Sequence, residues 1–306
     1  MSESIVVVGS SNTDMIIKAE RIPKPGETII GGEFSMAAGG KGANQAVSAA
    51  RAGGQVTFIA RLGDDMFGHE ALKQFSSDGI DVEFVVVDGH SPSGVALIFV
   101  DEHGENSIAV ASGANANVSP ADVCEARNVI ESADVLLMQL ETPIQTISAA
   151  AGIADSNGVE VILNPAPAQP LSDDLLAQVS ILTPNETETE ILTGVPVNDE
   201  DSASKAADIL LAKGVGIVLI TLGARGVYAA SEEFRGMIPA FTVDNPVDTT
   251  AAGDVFNGVL AVERARGNGL AEGIKVANAA AALSVMKLGA QASAPDRADI
   301  DAFLAE

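Results

Sequence analysis

The sequence has no tryptophan, one tyrosine, three scattered histidines and a single cysteine, Cys124. One cysteine excludes an internal disulfide framework, and its spacing to the histidines is not typical of a metal site. No run of about 18 or more apolar residues is present, and this excludes a transmembrane helix. The first residues lack the basic segment and the cleavage site of a signal peptide. We therefore expect a cytoplasmic protein with no membrane partner.

Basic residues are also scarce. Lys and Arg total 17 against 42 Asp and Glu, which gives a formal net charge of −25. Such a surface repels nucleic acid and anionic membranes, so we exclude both as partners. A phosphate-bearing ligand would have to be held by backbone N–H groups, helix N-termini and a divalent cation.

Short apolar runs alternate with helical patterns along most of the 306 residues. Continuous apolar runs are typical of strands covered on both faces, and they occur at residues 5–8, 56–59, 134–140, 159–163 and 217–221. Helix starts or patterns are indicated at residues 119–120, 172–174, 202–213, 254–266 and 270–287. The alternation predicts an α/β fold, a mostly parallel sheet with helices on both faces, in one domain over residues 1–306. Ligands of such sheets bind beyond the carboxyl ends of the strands.

One region departs from this alternation. Two strand-like runs, 94–100 and 107–111, flank a polar, glycine-containing stretch, which predicts a β-hairpin. Shorter strands are indicated at 15–17 and 28–30. We expect these pieces to form a small β-sheet lid over the site, built approximately from residues 12–35 and 92–112.

The strongest local motif is Asp248-Thr-Thr-Ala-Ala-Gly-Asp254, at the predicted start of a helix. The small residues Ala251, Ala252 and Gly253 let their N–H groups approach an anion closely, and the helix dipole adds positive potential. Asp254 beside this anion hole is suited to act as a general base in phosphoryl transfer, which needs a carboxylate near the attacking hydroxyl. Asp is also a preferred N-cap residue, so a purely structural role is the alternative.

The run Gly39-Gly-Lys-Gly-Ala-Asn-Gln45 superficially resembles a phosphate loop. A P-loop needs Ser or Thr after its lysine, whereas glycine follows here, and G-x-G-x-x-G is absent after the first strand. We therefore reject both motifs, and with them a dehydrogenase. The glycines alone would indicate a tight turn, but beside Asn12, Asp14 and Asn44 the loop is a candidate polyol site.

Two further segments follow predicted strands. Asn185 and Glu188 lie three residues apart and hence on one face of a helical turn. An amide and a carboxylate suit a water-rich Mg²⁺, or else they form a capped, acidic first turn. The run Thr221-Leu-Gly-Ala-Arg-Gly226 either wraps a nucleotide or joins two strands.

Together these segments resemble the ribokinase (PfkB) family of carbohydrate kinases over essentially the whole chain. The matching pieces occur in family order at residues 39–45, 138–143, 163–168, 183–188, 221–226, 247–258 and 289–293. The resemblance implies a kinase that transfers the γ-phosphoryl group of ATP to the terminal 5-hydroxyl of D-ribose. It also implies Mg²⁺ and K⁺ as cofactors and a homodimer that pairs through its lids.

Other kinases of the family act on deoxyribose, fructose or a nucleoside, and these remain alternatives. The aromatic content of 4% disfavours a nucleoside, since a base usually needs aromatic stacking. A sugar-binding regulatory protein without catalysis is a further alternative, and the presence of Asp254 speaks against it.

The resemblance also assigns roles to individual residues. Asp254 is the catalytic base, and Ala251, Ala252 and Gly253 supply the anion hole, although the family commonly has glycine where Ala251 stands. The sugar-binding set is Asn12, Asp14, Gly40, Lys41, Gly42, Ala43, Asn44, Glu141 and Asp254. The nucleotide-binding set is Asn185, Thr221, Leu222, Gly223, Ala224, Arg225, Gly226, Gly253, Asp254 and Asn278. Glu188 is associated with Mg²⁺, and the monovalent-cation set is Asp248, Thr250, Ser284, Lys287, Gly289 and Ser293.

Overall fold

The computed structural model describes residues 3–305 of the chain. Its strands are β1 (Ser4–Val8), β2 (Asn12–Lys18), β3 (Glu33–Gly39), β4 (Gln55–Gly63), β5 (Val85–Asp88), β6 (Gly94–Val100), β7 (Asn106–Ala111), β8 (Val135–Met138), β9 (Glu160–Leu163), β10 (Ile181–Leu182), β11 (Ile217–Thr221), β12 (Val227–Ala230) and β13 (Arg235–Ile238). Its α-helices are α1 (Lys41–Arg51), α2 (Met66–Ser77), α3 (Pro120–Glu125), α4 (Arg127–Glu131), α5 (Ile144–Ser156), α6 (Asp173–Leu176), α7 (Glu186–Thr193), α8 (Glu200–Ala212), α9 (Ala252–Ala265), α10 (Leu270–Ser284) and α11 (Arg297–Leu304).

The large sheet has the strand order β13-β12-β11-β10-β9-β8-β1-β4-β5. It is parallel from β11 to β5, and β12 and β13 extend it in antiparallel pairing. Strand β8 is buried along its whole length, as a strand covered on both faces should be. The predicted α/β fold with a mostly parallel sheet is therefore confirmed.

Two layers of helices cover the faces of this sheet, and β1 shows how the core divides between them. Ile5 and Val7 pack with α1, α9 and α10 in one apolar cluster. Val6 and Val8 pack with α5 and α8 in the other. Side chains of a strand alternate between its two faces, so a continuous apolar run supplies both cores. No helix in residues 3–305 is long and apolar enough to cross a membrane.

A close approach between α1 and α9 sets the position of the site. A Cβ atom at Gly258 in α9 would lie 2.6 Å from the main-chain oxygen of Gln45 in α1. Only glycine allows the two helices to come this near. Because both helices begin at the carboxyl edge of the sheet, their first turns face each other there.

The small sheet has the strand order β3-β2-β6-β7. The predicted hairpin at 94–111 is confirmed as the antiparallel pair β6 and β7. The strand predicted at 28–30 is wrong, because Ile30 is 98% exposed and lies in a loop. Both edges of β2 are already paired, one with β6 and the other with β3, whose range reaches Gly39. No edge of β2 is left for the β-branched run before Gly31.

Helix boundaries differ from the predictions by a few residues. Helix α8 begins at Glu200 and not at Ser202, because Asp199 is its N-cap and accepts from the Ser202 N–H at 2.8 Å. Helix α10 ends at Ser284, three residues before the predicted end. Helix α9 begins at Ala252, so Asp254 lies inside its first turn.

Candidate active site

Asp254 is a buried carboxylate, 5% exposed, in the first turn of α9. Asn44 donates from Nδ2 to its Oδ2, and Gln45 donates from Nε2 to its Oδ1, both at 2.9 Å. The N-cap of α9 is Ala251, so the alternative in which Asp254 only caps the helix is wrong. Its two oxygens are held in one orientation by the start of α1.

The backbone before Asp254 forms an open helix N-terminus. Ala251 adopts the left-handed conformation, with φ of 61°, which few residues other than glycine adopt. Gly253 is exposed, and nothing lies within 4 Å of the place where its Cβ would be. The first N–H groups of a helix have no intrahelical acceptors, so this turn can receive an anion.

The predicted sugar-binding residues converge on the same edge. The main-chain N–H of Lys41 donates to Glu141 Oε2 at 3.0 Å, and Ser10 Oγ donates to the same oxygen at 2.5 Å. Asn12 Oδ1 accepts from Asn115 Nδ2 at 2.8 Å, so its orientation is set from outside the site. Ser10 and Asn115 are contacts that the sequence did not predict.

Glycine is required at two places in this loop. Gly40 has φ of 89°, a conformation that side chains rarely adopt. A Cβ at Gly42 would overlap the main chain of Gly9 and Ser10. The loop therefore turns sharply into α1 and presses against the end of β1.

The charges of the site act on one another. Burial, with the charges of Glu141 and Asp254, raises the pKa of Asp14 to about 6. Burial also raises the pKa of Asp254, although the Lys41 ammonium and the hydrogen bonds from Asn44 and Gln45 oppose it.

The Lys41 side chain adds the compensating charge. Burial alone would lower its pKa, but the carboxylates of Asp254, Glu141 and Glu188 raise it overall. A single lysine thus faces carboxylates from three parts of the chain.

One buried acceptor in the site is unsatisfied. Asn44 Oδ1 has no hydrogen-bond partner within residues 3–305. Since Asp254 can only accept, it holds the nitrogen of this amide, and the oxygen is left for another donor. A sugar hydroxyl is a donor that fits this need.

Asn185 and Glu188 form a reciprocal capping box at the start of α7. Asn185 Oδ1 accepts from the Glu188 N–H, and Glu188 Oε2 accepts from the Asn185 N–H, both at 2.8 Å. The capped first turn is therefore present. Glu188 is nevertheless buried, and burial raises its pKa while Lys41 lowers it. Its charge thus reaches the site, and association with Mg²⁺ stays a prediction.

The run 221–226 joins β11 to the antiparallel β12, so the strand-joining interpretation is correct. It also lies at the candidate site, since Thr221 pairs with Asn185 in an isolated β-bridge. Arg225 is exposed, and its Nη2 forms an ion pair with Glu186. Its Nη1 donates to the main-chain oxygen of Asn198 at 3.0 Å.

Asn278 reaches the same neighbourhood from α10. Its Nδ2 donates to the main-chain oxygen of Pro239 at 3.1 Å, and Gly226 packs against the main chain of residues 238–240. The predicted nucleotide-binding residues of α7, the 221–226 turn and α10 thus surround one stretch of surface. Their role in nucleotide binding remains a prediction.

The predicted cation residues lie on two segments that are in contact. The main-chain oxygen of Val285 accepts from the N–H groups of Val247 and Asp248. Asp248 accepts from the N–H groups of Thr250 and Gly289, both at 2.9 Å. Burial would raise the pKa of Asp248, but these hydrogen bonds lower it overall.

The other members of the cation set offer oxygens of differing kinds. Ser284 and Ser293 are buried, and each donates its hydroxyl hydrogen to a main-chain oxygen three residues earlier. The Lys287 side chain is exposed and points toward Asp299, so only its main chain can face the set. Carboxylate, hydroxyl and carbonyl oxygens suit a hard cation.

Residues 2–297 match the family described as pfkB family carbohydrate kinase. The ribokinase of Haemophilus influenzae is 47% identical over 304 residues, which cover 99% of this chain and 99% of that protein. A deoxyribokinase of Salmonella typhi is 36% identical over 98% of both chains. The structure of Arabidopsis thaliana ribokinase complexed with ribose and ATP superimposes with a TM-score of 0.92 at 34% identity, over 99% of both chains.

The chain belongs to the pfkB family of carbohydrate kinases. The predicted family and the predicted enzyme class, a sugar kinase, are thereby confirmed. The site residues found only from the structure include Gln45, Asn164 and Asn115. Gln45 and Asn164 stand inside segments that matched the family, so position in those segments was the one available signal.

Proposed function

We propose that this chain catalyses transfer of the γ-phosphoryl group of ATP to the 5-hydroxyl of D-ribose, giving ribose 5-phosphate. The observation that carries the proposal is Asp254, a buried carboxylate that two amides orient beside an open helix N-terminus. The high identity to ribokinases supports ribose as the substrate.

Asp254 acts as the general base in this scheme. It accepts the proton of the sugar hydroxyl as the new O–P bond forms, while the bond from the γ-phosphorus to the bridging oxygen breaks and ADP leaves. Asp14 and Asn44 accept from the sugar hydroxyls, and Asn12, Glu141 and the glycine loop complete the sugar site.

The transferred phosphoryl group meets the N–H groups at the start of α9. These donors are fixed before the reaction, so they stabilise charge that develops on the phosphoryl oxygens without reorganisation. The Lys41 ammonium supplies positive charge to the carboxylates of Asp254 and Glu141 in the sugar site and to Glu188. The nucleotide lies along the turn 221–226 and Asn278, where backbone donors compensate for the shortage of basic residues.

The two metal ions that we propose would bind to different residues. Glu188 would hold Mg²⁺ indirectly, and Mg²⁺ would neutralise charge on the ATP phosphates when bound. Asp248, with oxygens of Thr250, Ser284, Lys287, Gly289 and Ser293, would hold K⁺. Since Asp248 lies three residues before Ala251, an occupied site would brace the anion hole.

We further propose that the small sheet is a lid, and that two lids pair in a homodimer of this cytoplasmic enzyme. Met36 on β3 and Leu97 on β6 lie on either side of Met15, and both are exposed. Phe34, two residues before Met36 on the same face of β3, is exposed as well. An apolar sheet face of this kind needs a cover in water. Light scattering after size exclusion should give a dimer for the wild type and a monomer for Met36→Glu; a monomeric wild type would contradict the pairing.

The substrate proposal is tested by a coupled ATP assay over ribose, 2-deoxyribose, fructose and nucleosides. We expect the highest kcat/KM for ribose, and ³¹P NMR should place the phosphate on the terminal carbon. A deoxyribose preference would assign the chain to the second activity found among its relatives. Sugar binding without ATP turnover would indicate a regulatory protein.

A further inference from the structure

Behind Asp254 lies a network of buried amide side chains that extends from Gln45, one of the two amides in contact with the carboxylate. Gln45 in α1, which is 0% exposed, donates from Nε2 to Asp254 Oδ1 at 2.9 Å and to Asn164 Oδ1 at 3.2 Å. Asn164, just after β9, donates from Nδ2 to the main-chain oxygen of Thr183 at 3.1 Å. The carboxylate is therefore tied to the ends of β9 and β10.

The network returns to α9 by a second path. Thr183 Oγ1 donates to Asn257 Oδ1 at 2.7 Å, and Asn257 Nδ2 donates to the main-chain oxygen of Gly253 at 2.8 Å. Gly253 is bonded to Asp254, so the contacts close into a ring. The ring holds both the carboxylate and the turn that forms the anion hole.

Groups that can only accept determine the direction of the hydrogen bonds. The main-chain oxygens of Thr183 and Gly253 accept, so Asn164 and Asn257 must turn their nitrogens toward them. The oxygen of Asn164 then faces Gln45, which must present its nitrogen.

A second glutamine donates to the other end of the Gln45 amide. Gln139, which follows β8 and is buried, donates from Nε2 to Gln45 Oε1 at 2.6 Å. If the Gln45 amide were reversed, its oxygen would face the Asp254 carboxylate and the Asn164 oxygen, and both contacts would be lost. Asp254 and Asn164 therefore select the orientation of Gln45, and Gln139 donates to the Gln45 oxygen that faces away from them.

We propose that Gln45 is a positioning residue for Asp254, and that Gln139 acts through it. This inference rests on the proposed role of Asp254 as the general base. Both Asp254 oxygens accept N–H donors, from Asn44 and from Gln45. Hydrogen bonds to both oxygens stabilise the ionised carboxylate more than the neutral carboxylic acid.

The surrounding charges explain why such support is needed. Asp14 on β2, Glu141 after β8 and Glu188 on α7 face Asp254 and favour its protonation, as burial does. Lys41 on α1 is the cation that opposes them. Gln45 adds a donor that stabilises the ionised base.

The test compares Gln45→Met, which keeps the length of the side chain and removes its amide, with the wild type. We expect kcat to fall about tenfold or more and the acid limb of the kcat profile to move up by about one pH unit, because a donor to a charged group changes its ionisation about tenfold. The ribose KM should change by less than about threefold, since the substitution is not expected to alter contacts that bind the substrate and the transition state equally. Gln139→Met should shift the limb in the same direction by less.

Gln178→Met, which removes an amide outside the ring, serves as the matched control and should match the wild type. An unchanged acid limb in folded Gln45→Met overturns the proposal, as does a loss confined to KM. If Gln45→Met does not fold, Gln139→Met decides by the same criteria. Asp254→Asn separates the two claims: an active Asp254→Asn refutes the base itself, whereas an inactive one beside an unaltered Gln45→Met refutes only the positioning.

Discussion

Asp14 gives the free enzyme a titration near neutral pH, and ribose binding should report it. Burial and the charges of Glu141 and Asp254 raise the pKa of Asp14 to about 6. In the proposed site the ionised carboxylate accepts from the ring hydroxyls of the sugar. We therefore expect ribose affinity to weaken as the pH falls through this value.

The size of the effect follows from the fraction of enzyme that is competent to bind. With a pKa of about 6, about nine-tenths of Asp14 is ionised at pH 7 and about one-tenth at pH 5. The apparent Kd is the intrinsic Kd divided by the competent fraction, so it should rise about tenfold between these pH values.

Calorimetric titration of ribose without ATP, at constant ionic strength between pH 5 and pH 8, measures this directly. Asp14→Asn should bind weakly with a flat profile. Asp254→Asn removes one of the carboxylates that raise the pKa of Asp14, so the midpoint should move to lower pH. A wild-type Kd that stays constant from pH 5 to pH 7, or an equal slope in Asp14→Asn, would refute the reasoning.

The same pKa predicts a stability cost. The pKa of Asp14 in the folded protein, about 6, lies above its ordinary value of 3.8. The ionised carboxyl therefore destabilises the free enzyme above about pH 6, and protonation removes the penalty as the pH falls. Asp14→Asn should therefore raise the free energy of unfolding at pH 8, by at most about 3 kcal/mol. The site thus keeps a charge that binding requires and folding disfavours.

Three other predictions concern single positions. Asp14→Ala should cost ribose more than 2-deoxyribose, by about 1.5–3 kcal/mol in kcat/KM if Asp14 accepts from the 2-hydroxyl; an equal loss for both sugars would place Asp14 elsewhere. At equal ionic strength K⁺ should raise kcat or ATP affinity over Na⁺ and N-methylglucamine, and Asp248→Ala should abolish the gain; equal rates in all three salts would contradict the cation site. Ala251→Gly should keep activity and change stability by no more than about 1 kcal/mol, because relief of the left-handed strain offsets the added freedom of the unfolded chain; a thermal denaturation shift well outside that range would contradict the strain argument.

The large sheet could be predicted from the sequence because its strands are continuous apolar runs covered on both faces. Strand β3 could not, since its alternation covers only Phe34 and Met36 and the strand then ends in Ala37, Ala38 and Gly39, which have little strand preference. The pairing of β3 with β2 is determined by tertiary contacts. The β-branched run at 28–30 indicated a strand more strongly, although no strand forms there. The helical pattern was predicted from Ser202, two residues after the start of α8, because the N-cap role of Asp199 was not identified in the sequence.

The site was predictable where its chemistry lies in short motifs. Asp254, Asn44 and Glu141 stand in such motifs, and the structure brings them together. The ring behind Asp254 was not predictable, because its members are more than 70 residues apart across most contacts. An isolated Gln or Asn in a sequence does not reveal which buried carbonyl will determine its orientation. The sugar kinase itself was predicted, and the family comparisons confirm it.

The central claim is that Asp254 takes the proton from the sugar hydroxyl, and one substitution tests it most directly. Asp254→Asn keeps the size of the side chain, so the protein should fold and bind ribose and ATP. Steady-state assay at pH 7.5 with saturating ribose and ATP should show kcat reduced by at least about 100-fold, the usual effect of removing a general base. Turnover near the wild-type rate in a correctly folded Asp254→Asn enzyme would contradict the mechanism.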